Sequence, residues 1–204
     1  NATTLHYVFN DCECKDGDIL VIDAGAEYNY YTADITRAYP VSGKFTDIQA
    51  RFYQRILDVQ KYLIGEVKPG RNIKDLQTKA IELLTEIMCE FGLFKSKATD
   101  VIQKNEFKQF YPHNLGHWLG MDVHDVGLYQ SDGRPKDFEP GMCLTIEPGI
   151  YVPANHPTAP ENLKGIGIRI EDDILVTETG CDNLTQMAPK EISDLERVVG
   201  SAYR

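Results

Sequence analysis

The chain has 204 residues, 42% of them hydrophobic and 25% charged, with a formal net charge of -10. These proportions suit one globular domain and exclude a disordered or fibrous chain. The acidic balance argues against a nucleic-acid partner, which needs a basic face, and no apolar run reaches the roughly 18–20 residues that span a bilayer.

In chain order, Asp18–Ala26 (DILVIDAGA) is a short apolar run between Gly17 and Gly25 and predicts a strand. Tyr28–Ala38 is β-rich and predicts its antiparallel partner. Helical spacing runs from Thr46, the expected N-cap, to Val67, with Pro69-Gly70 as the stop. A second helix is predicted from Ile73 to Phe91, ended by Gly92. Asp122–Val126, Met142–Val152 and Gly167–Val176 read as strands, and Pro153–Gly165, rich in Pro, Asn and Lys, reads as an exposed loop. Strands, then two long helices, then strands again predict an α+β domain. The five cysteines (Cys12, Cys14, Cys89, Cys143 and Cys181) show no disulfide framework, and Cys12-Glu13-Cys14 is too tight for a structural zinc pair. Reduced thiols in a cytosol-like compartment are expected, with a mitochondrial matrix as the eukaryotic equivalent.

Acids inside apolar strand runs need a reason, because a lone buried carboxylate costs several kcal/mol unless paired or metal-bound. Asp23 shares a strand face with Ile19 and Val21, and Asp34 lies in the partner stretch, so the two can converge across a hairpin. His113, His117 and His124 fall in one glycine-containing segment, HNLGHWLGMDVHD, which suits metal ligation or proton transfer. Glu147 ends the apolar run LTIE before Pro148-Gly149. In GIGIRIEDD, alternation sends Ile168 and Ile170 to one face and Arg169 and Glu171 to the other. Asp23, Asp34, His117, Glu147 and Glu171 together make four carboxylates and one imidazole. Two divalent cations would balance that charge, and an oxygen-rich set with one nitrogen suits Mn²⁺, Co²⁺, Fe²⁺ or Zn²⁺. Mn²⁺ is the first expectation.

The order Asp…Asp…His…Glu…Glu, set in IDAGAEYNYYTADITR, HNLGHWLGMDVHDVG, LTIEPGIY and GIGIRIEDD, resembles the pita-bread metallopeptidases, and among them the aminopeptidase P (Xaa-Pro aminopeptidase) branch. The similarity runs from Leu5-His6-Tyr7 to the Asn183-Leu184-Thr185 segment. It implies a curved antiparallel sheet flanked by helices. It also implies metal ligands at Asp23, Asp34, His117, Glu147 and Glu171, substrate-side histidines at His6, His113 and His124, and a site arginine at Arg169. Family members carry further sequence ahead of the LHY motif, so residues 1–204 are expected to be the later part of a catalytic domain, behind a creatinase-like N-terminal domain.

The implied reaction is hydrolysis of the bond between an N-terminal residue and a following proline. A metal-activated water attacks the carbonyl, His124 or His113 donates to the oxyanion, and Glu147 moves the proton to the leaving nitrogen. Peptides with proline second are the expected partners, with self-association into a homo-oligomer. Two alternatives share the motifs in whole or part. One is prolidase, which cleaves only dipeptides and tends to have a longer insertion at Tyr151–Gly165. The other is a non-catalytic binding module, which would be expected to have lost ligands.

Overall fold

The computed structural model describes residues 2–201. Strand β1 (Ile19–Ala24) runs on into β2 (Glu27–Tyr28), the chain turns through Asn29 and Tyr30 with positive φ, and β3 (Tyr31–Thr32) leads into β4 (Ile35–Pro40). The β1–β4 and β2–β3 ladders share one register, interrupted where Gly25 meets Asp34. Only glycine fits there, since a Cβ on Gly25 would lie 1.6 Å from the Ala33 carbonyl oxygen.

Two long helices follow. In α1 (Asp47–Gly65) the Thr46 hydroxyl accepts from the Gln49 amide while Gln49 Oε1 accepts from the Thr46 amide, a reciprocal cap that satisfies two otherwise orphaned donors. Phe52, Ile56 and Leu63 line its buried face. In α2 (Ile73–Glu90), capped by Asn72, the buried face is Leu76, Ala80, Leu84 and Ile87, at helical spacing. Gly92, at φ 76°, ends it by turning the amides of Gly92 and Leu93 back onto the last carbonyls. Both helices thus form close to where capping residues and apolar spacing place them.

The second half builds the sheet. A short helix α3 (Ala98–Gln103) and a 3-10 turn (Glu106–Gln109) lead to a long loop that carries the small hairpin β5 (Gln130–Ser131) and β6 (Arg134–Pro135). Then come β7 (Cys143–Ile146), β8 (Gly149–Tyr151), β9 (Gly167–Arg169), β10 (Asp172–Val176), β11 (Cys181–Asn183) and helix α4 (Ile192–Val198). β7 pairs with β10 and β8 with β9, all antiparallel and in one register. The Glu171 amide donates to the Thr36 carbonyl, joining β4 to this ladder, and α1 packs across β7, β9 and β11. Ile146, Ile150, Ile168, Ile170 and Ile174 face the helices in a common apolar core. Among the described residues no helix is long and apolar enough to cross a membrane.

Four expectations are corrected. Met142–Val152 and Gly167–Val176 are each two strands, broken at Glu147-Pro148 and Ile170-Glu171. Asp122–Val126 is not a strand: its chain bends, and Asp122 spends its carbonyl on the Gly120 amide. The segment from Pro153 to Gly165 is irregular as expected but not simply exposed, because Ala159 and Leu163 are buried in the core.

Candidate metal centre

Asp34, Glu147 and Glu171 lie where a ladder is broken, and Asp23 lies one residue inside the end of β1. Asp23 is opposite Thr36 in the β1–β4 register. Asp34 is two residues before Thr36, which makes the two acids diagonal neighbours on one face. Ile146 pairs with Asp172 and Gly149 with Arg169, so the shared register puts Glu147 opposite Glu171. Two carboxylates facing each other across strands repel, and neither strand pair is regular at that point.

His117 arrives from a different element. The chain from Leu115 to Leu119 lies along β7: Glu147 donates its amide to the Leu115 carbonyl, Thr145 to that of His117, and Leu119 to that of Cys143. Gly116 allows this approach, since a Cβ there would sit 1.9 Å from the Thr145 carbonyl oxygen. Gly116→Ala is therefore expected to destabilise the fold by about 1–3 kcal/mol in urea denaturation. Wild-type stability would contradict the close approach.

All five predicted ligands, together with His6, His113, His124 and Arg169, line one cavity of about 390 Å³. His117 Nε2 lies 3.5 Å from Asp34 Oδ2, 3.5 Å from Glu147 Oε1 and 4.0 Å from Glu171 Oε1. Asp34, His117 and Glu171 each offer a ligand atom within 4.8 Å of the others. Asp23 instead pairs with Arg169, and the Glu171 carboxylate accepts from the Thr36 hydroxyl.

The electrostatics are those of crowded acids. Burial, reinforced by the Asp34 carboxyl, pushes Asp23 up to about 6 against the opposing pull of Arg169. Burial raises Glu147 to about 7, and burial with the charges of Glu147 and Asp34 raises Glu171 well above the usual carboxylate range. Burial works in the same direction on Asp34 but is outweighed by hydrogen bonds with His117 and Asp23, which hold it low. Burial pulls His117 down, but the Asp34 carboxylate, the Trp118 carbonyl and the charge of Glu147 together raise it.

The donor set fits a divalent cation. His117 Nδ1 lies 3.0 Å from the Trp118 carbonyl, which can only accept, so that nitrogen carries hydrogen. In the neutral imidazole the Nε2 lone pair then faces three carboxylates. That is unfavourable for a lone histidine and is the orientation a second-sphere carbonyl imposes on a metal ligand.

The other histidines differ from one another. His113 Nδ1 donates to the Asn114 carbonyl at 2.7 Å, so its Nε2 accepts from the Tyr151 hydroxyl at 2.9 Å, and that oxygen accepts from Arg169 Nη1 at 3.2 Å. Burial lowers His113 to about 4, which keeps it neutral. His124 is exposed and stacks edge-on against His117 with ring centroids 4.3 Å apart. Burial and the nearby His117 lower it. His6, also exposed, lies on the cavity wall with Leu5.

Three hydroxyls at the site carried no sequence signal. Thr36 accepts from Arg169 Nε and donates to Glu171, and Thr145 accepts from the His117 amide at 3.1 Å while donating to Glu147 at 3.3 Å. Tyr151 joins Arg169 to His113. Hydroxyl residues are ordinary in strands, and only the register reveals what they touch.

Residues 1–178 match metallopeptidase family M24. The Xaa-Pro aminopeptidase of Haemophilus influenzae is 45% identical over 199 residues, covering 98% of this chain and 46% of the relative. That of Escherichia coli is 43% identical over 204 residues, covering 100% and 46%. Among solved structures, Pseudomonas aeruginosa aminopeptidase PepP superposes with a TM-score of 0.95 at 40% identity, covering 100% of this chain and 46% of that one. Zinc-substituted Escherichia coli aminopeptidase P in complex with product gives 0.94 at 41%, with the same coverage. The chain spans about half the length of the curated relatives it matches.

Proposed function

The chain belongs to metallopeptidase family M24, and from that premise we propose that it carries the metal centre of a Xaa-Pro aminopeptidase. Its fold is the pita-bread fold, shared with the aminopeptidase P structures over its whole length. The observation that carries the proposal is the convergence of four carboxylates and His117 Nε2 on one cavity that also presents three further histidines and Arg169.

Two divalent ions, Mn²⁺ first, are proposed for Asp23, Asp34, His117, Glu147 and Glu171. The chemistry such ions supply is acidification of water and polarisation of a carbonyl. The protein groups do the rest. Glu147, whose carboxylate lies on the cavity wall 3.5 Å from His117 Nε2, takes the proton from the attacking water and passes it to the leaving proline nitrogen. Of the two histidines considered for the oxyanion, His124 suits the role better, because both ring nitrogens of His113 are already engaged. His113 then acts with Tyr151 and Arg169 as a neutral, rigid wall that orients the substrate. The acidic ligands favour a free, positively charged N-terminus on the substrate.

Purified full-length protein is expected to cleave Xaa-Pro-Xaa peptides after the first residue, lose turnover on chelation, and regain it with Mn²⁺. Preference for Xaa-Pro dipeptides would make it a prolidase. A protein that binds no divalent metal would be a non-catalytic member of the family.

A further inference from the structure

Glu171, Asp172 and Asp173 are three successive acids with different surroundings. Glu171 enters the cavity, and Asp172 points the other way into a cluster of cationic and amide groups. Asp173 returns to the Glu171 side of the strand, behind the cavity, and is 3% exposed. Its carboxylate oxygens lie 3.1 and 3.3 Å from the Asp34 amide nitrogen, and no other donor among the described residues reaches them. Burying a carboxylate against a single peptide N–H is costly, and the mechanism above makes no use of it.

The position of that N–H explains the arrangement. Asp34 precedes β4, and its peptide is squeezed from the β1 side, where Gly25 leaves room only by lacking a side chain. The adjacent Ala33 amide donates to the Ala26 carbonyl at 3.0 Å, so by strand alternation the Asp34 amide points away from β1, towards β10. There Asp173 is its acceptor. An aspartate side chain has only two torsions, so the Asp34 carboxylate goes where its main chain is held.

We propose that Asp173 is a positioning residue that fixes Asp34 for metal binding by clamping its backbone amide. This rests on the metal-centre assignment above. In full-length protein, Asp173→Ala and the volume-preserving Asp173→Leu remove the acceptor, whereas Asp173→Asn keeps one carbonyl oxygen for the same N–H. Mn²⁺ affinity, read by competition with a chromogenic chelator, is expected to fall about 10–100-fold in Ala and Leu, the range typical of lost outer-sphere support. In Asn it should stay within about threefold of wild type, since one neutral acceptor suffices for one donor. For Ala and Leu, kcat at limiting Mn²⁺ should fall and recover with excess metal, while KM hardly moves.

A merely structural role would lower the melting temperature of the chelated protein in all three and leave Mn²⁺ affinity unchanged in those that fold. That result overturns the proposal. So does an Asn variant as weak as Ala, which would make charge the requirement, or failure of both Ala and Leu to fold beside a normal Asn variant. If wild-type protein itself binds no Mn²⁺, the metal-centre assignment fails first and takes the clamp with it.

Discussion

Asp34→Ala is expected to release at least one metal equivalent and to lower turnover about 10³-fold or more, because removing several kcal/mol of transition-state stabilisation does so at 1.36 kcal/mol per tenfold. Asp34 holds the central place among the acids. It neighbours Asp23 diagonally, reaches within 3.5 Å of His117 Nε2, and is the only one of the four held low while Asp23, Glu147 and Glu171 are all raised. With His117 and Glu171 it offers a ligand atom within 4.8 Å of the others, so its loss removes a central member of the set. Elemental analysis and steady-state kinetics on the same preparation check this. Turnover within about tenfold of wild type, with full metal content, would refute Asp34 as a metal ligand. Asp34→Asn keeps the volume and the Asp173 clamp but loses the charge, so it separates lost ligation from lost structure.

The acids of the site were legible because they interrupt apolar runs. Asp23 follows ILVI on the face of Ile19 and Val21, Glu147 ends the run LTIE before Pro148-Gly149, and Glu171 shares with Arg169 the polar face of a strand whose other face is Ile168 and Ile170. The long helices were legible for equally local reasons: Thr46 with Gln49 at one end of the helical stretch, Gly92 at the other. Register was not legible. Nothing in either segment says that Glu147 and Glu171 fall opposite each other, or that Asp23 meets Thr36 squarely and Asp34 on the diagonal. The supporting hydroxyls of Thr36, Thr145 and Tyr151 were missed for the same reason. Asp122–Val126 misled because it holds two β-branched valines in five residues, yet both are exposed. The carbonyl of Gly120 just before them is taken by Thr32 from the β3 turn, so tertiary bonds shape that loop. Helices α3 and α4 have six and seven residues, too few turns for a periodic apolar face to stand out.

Asp172→Ala is expected to cost about 3–5 kcal/mol, the range for removing one partner of a buried ion pair. That is a large share of the roughly 5–15 kcal/mol that holds a typical domain together. Asp172 is fully buried between β4 and the segment before α4. It takes Arg37 Nη2 at 2.7 Å, Gln60 at 2.8 Å, Asn183 at 2.9 Å, the Thr185 hydroxyl at 2.8 Å, and the Lys190 ammonium. In its absence two cations face each other with no counter-charge. The Arg37 guanidinium keeps its contacts with the carbonyls of Glu171, Ala188 and Pro189, but partial charges do not replace a carboxylate. Equilibrium urea unfolding measures the loss. If the cost comes from stranded charge, the triple variant Asp172→Leu/Arg37→Met/Lys190→Met should lose clearly less than Asp172→Ala, because apolar replacement of all three removes desolvation along with attraction. If the triple variant loses as much or more, Asp172 stabilises the fold through its individual hydrogen bonds. Arg37 also donates to the Glu171 carbonyl at 2.6 Å, so the same network that holds β4 against β10 sets the backbone from which Glu171 enters the cavity.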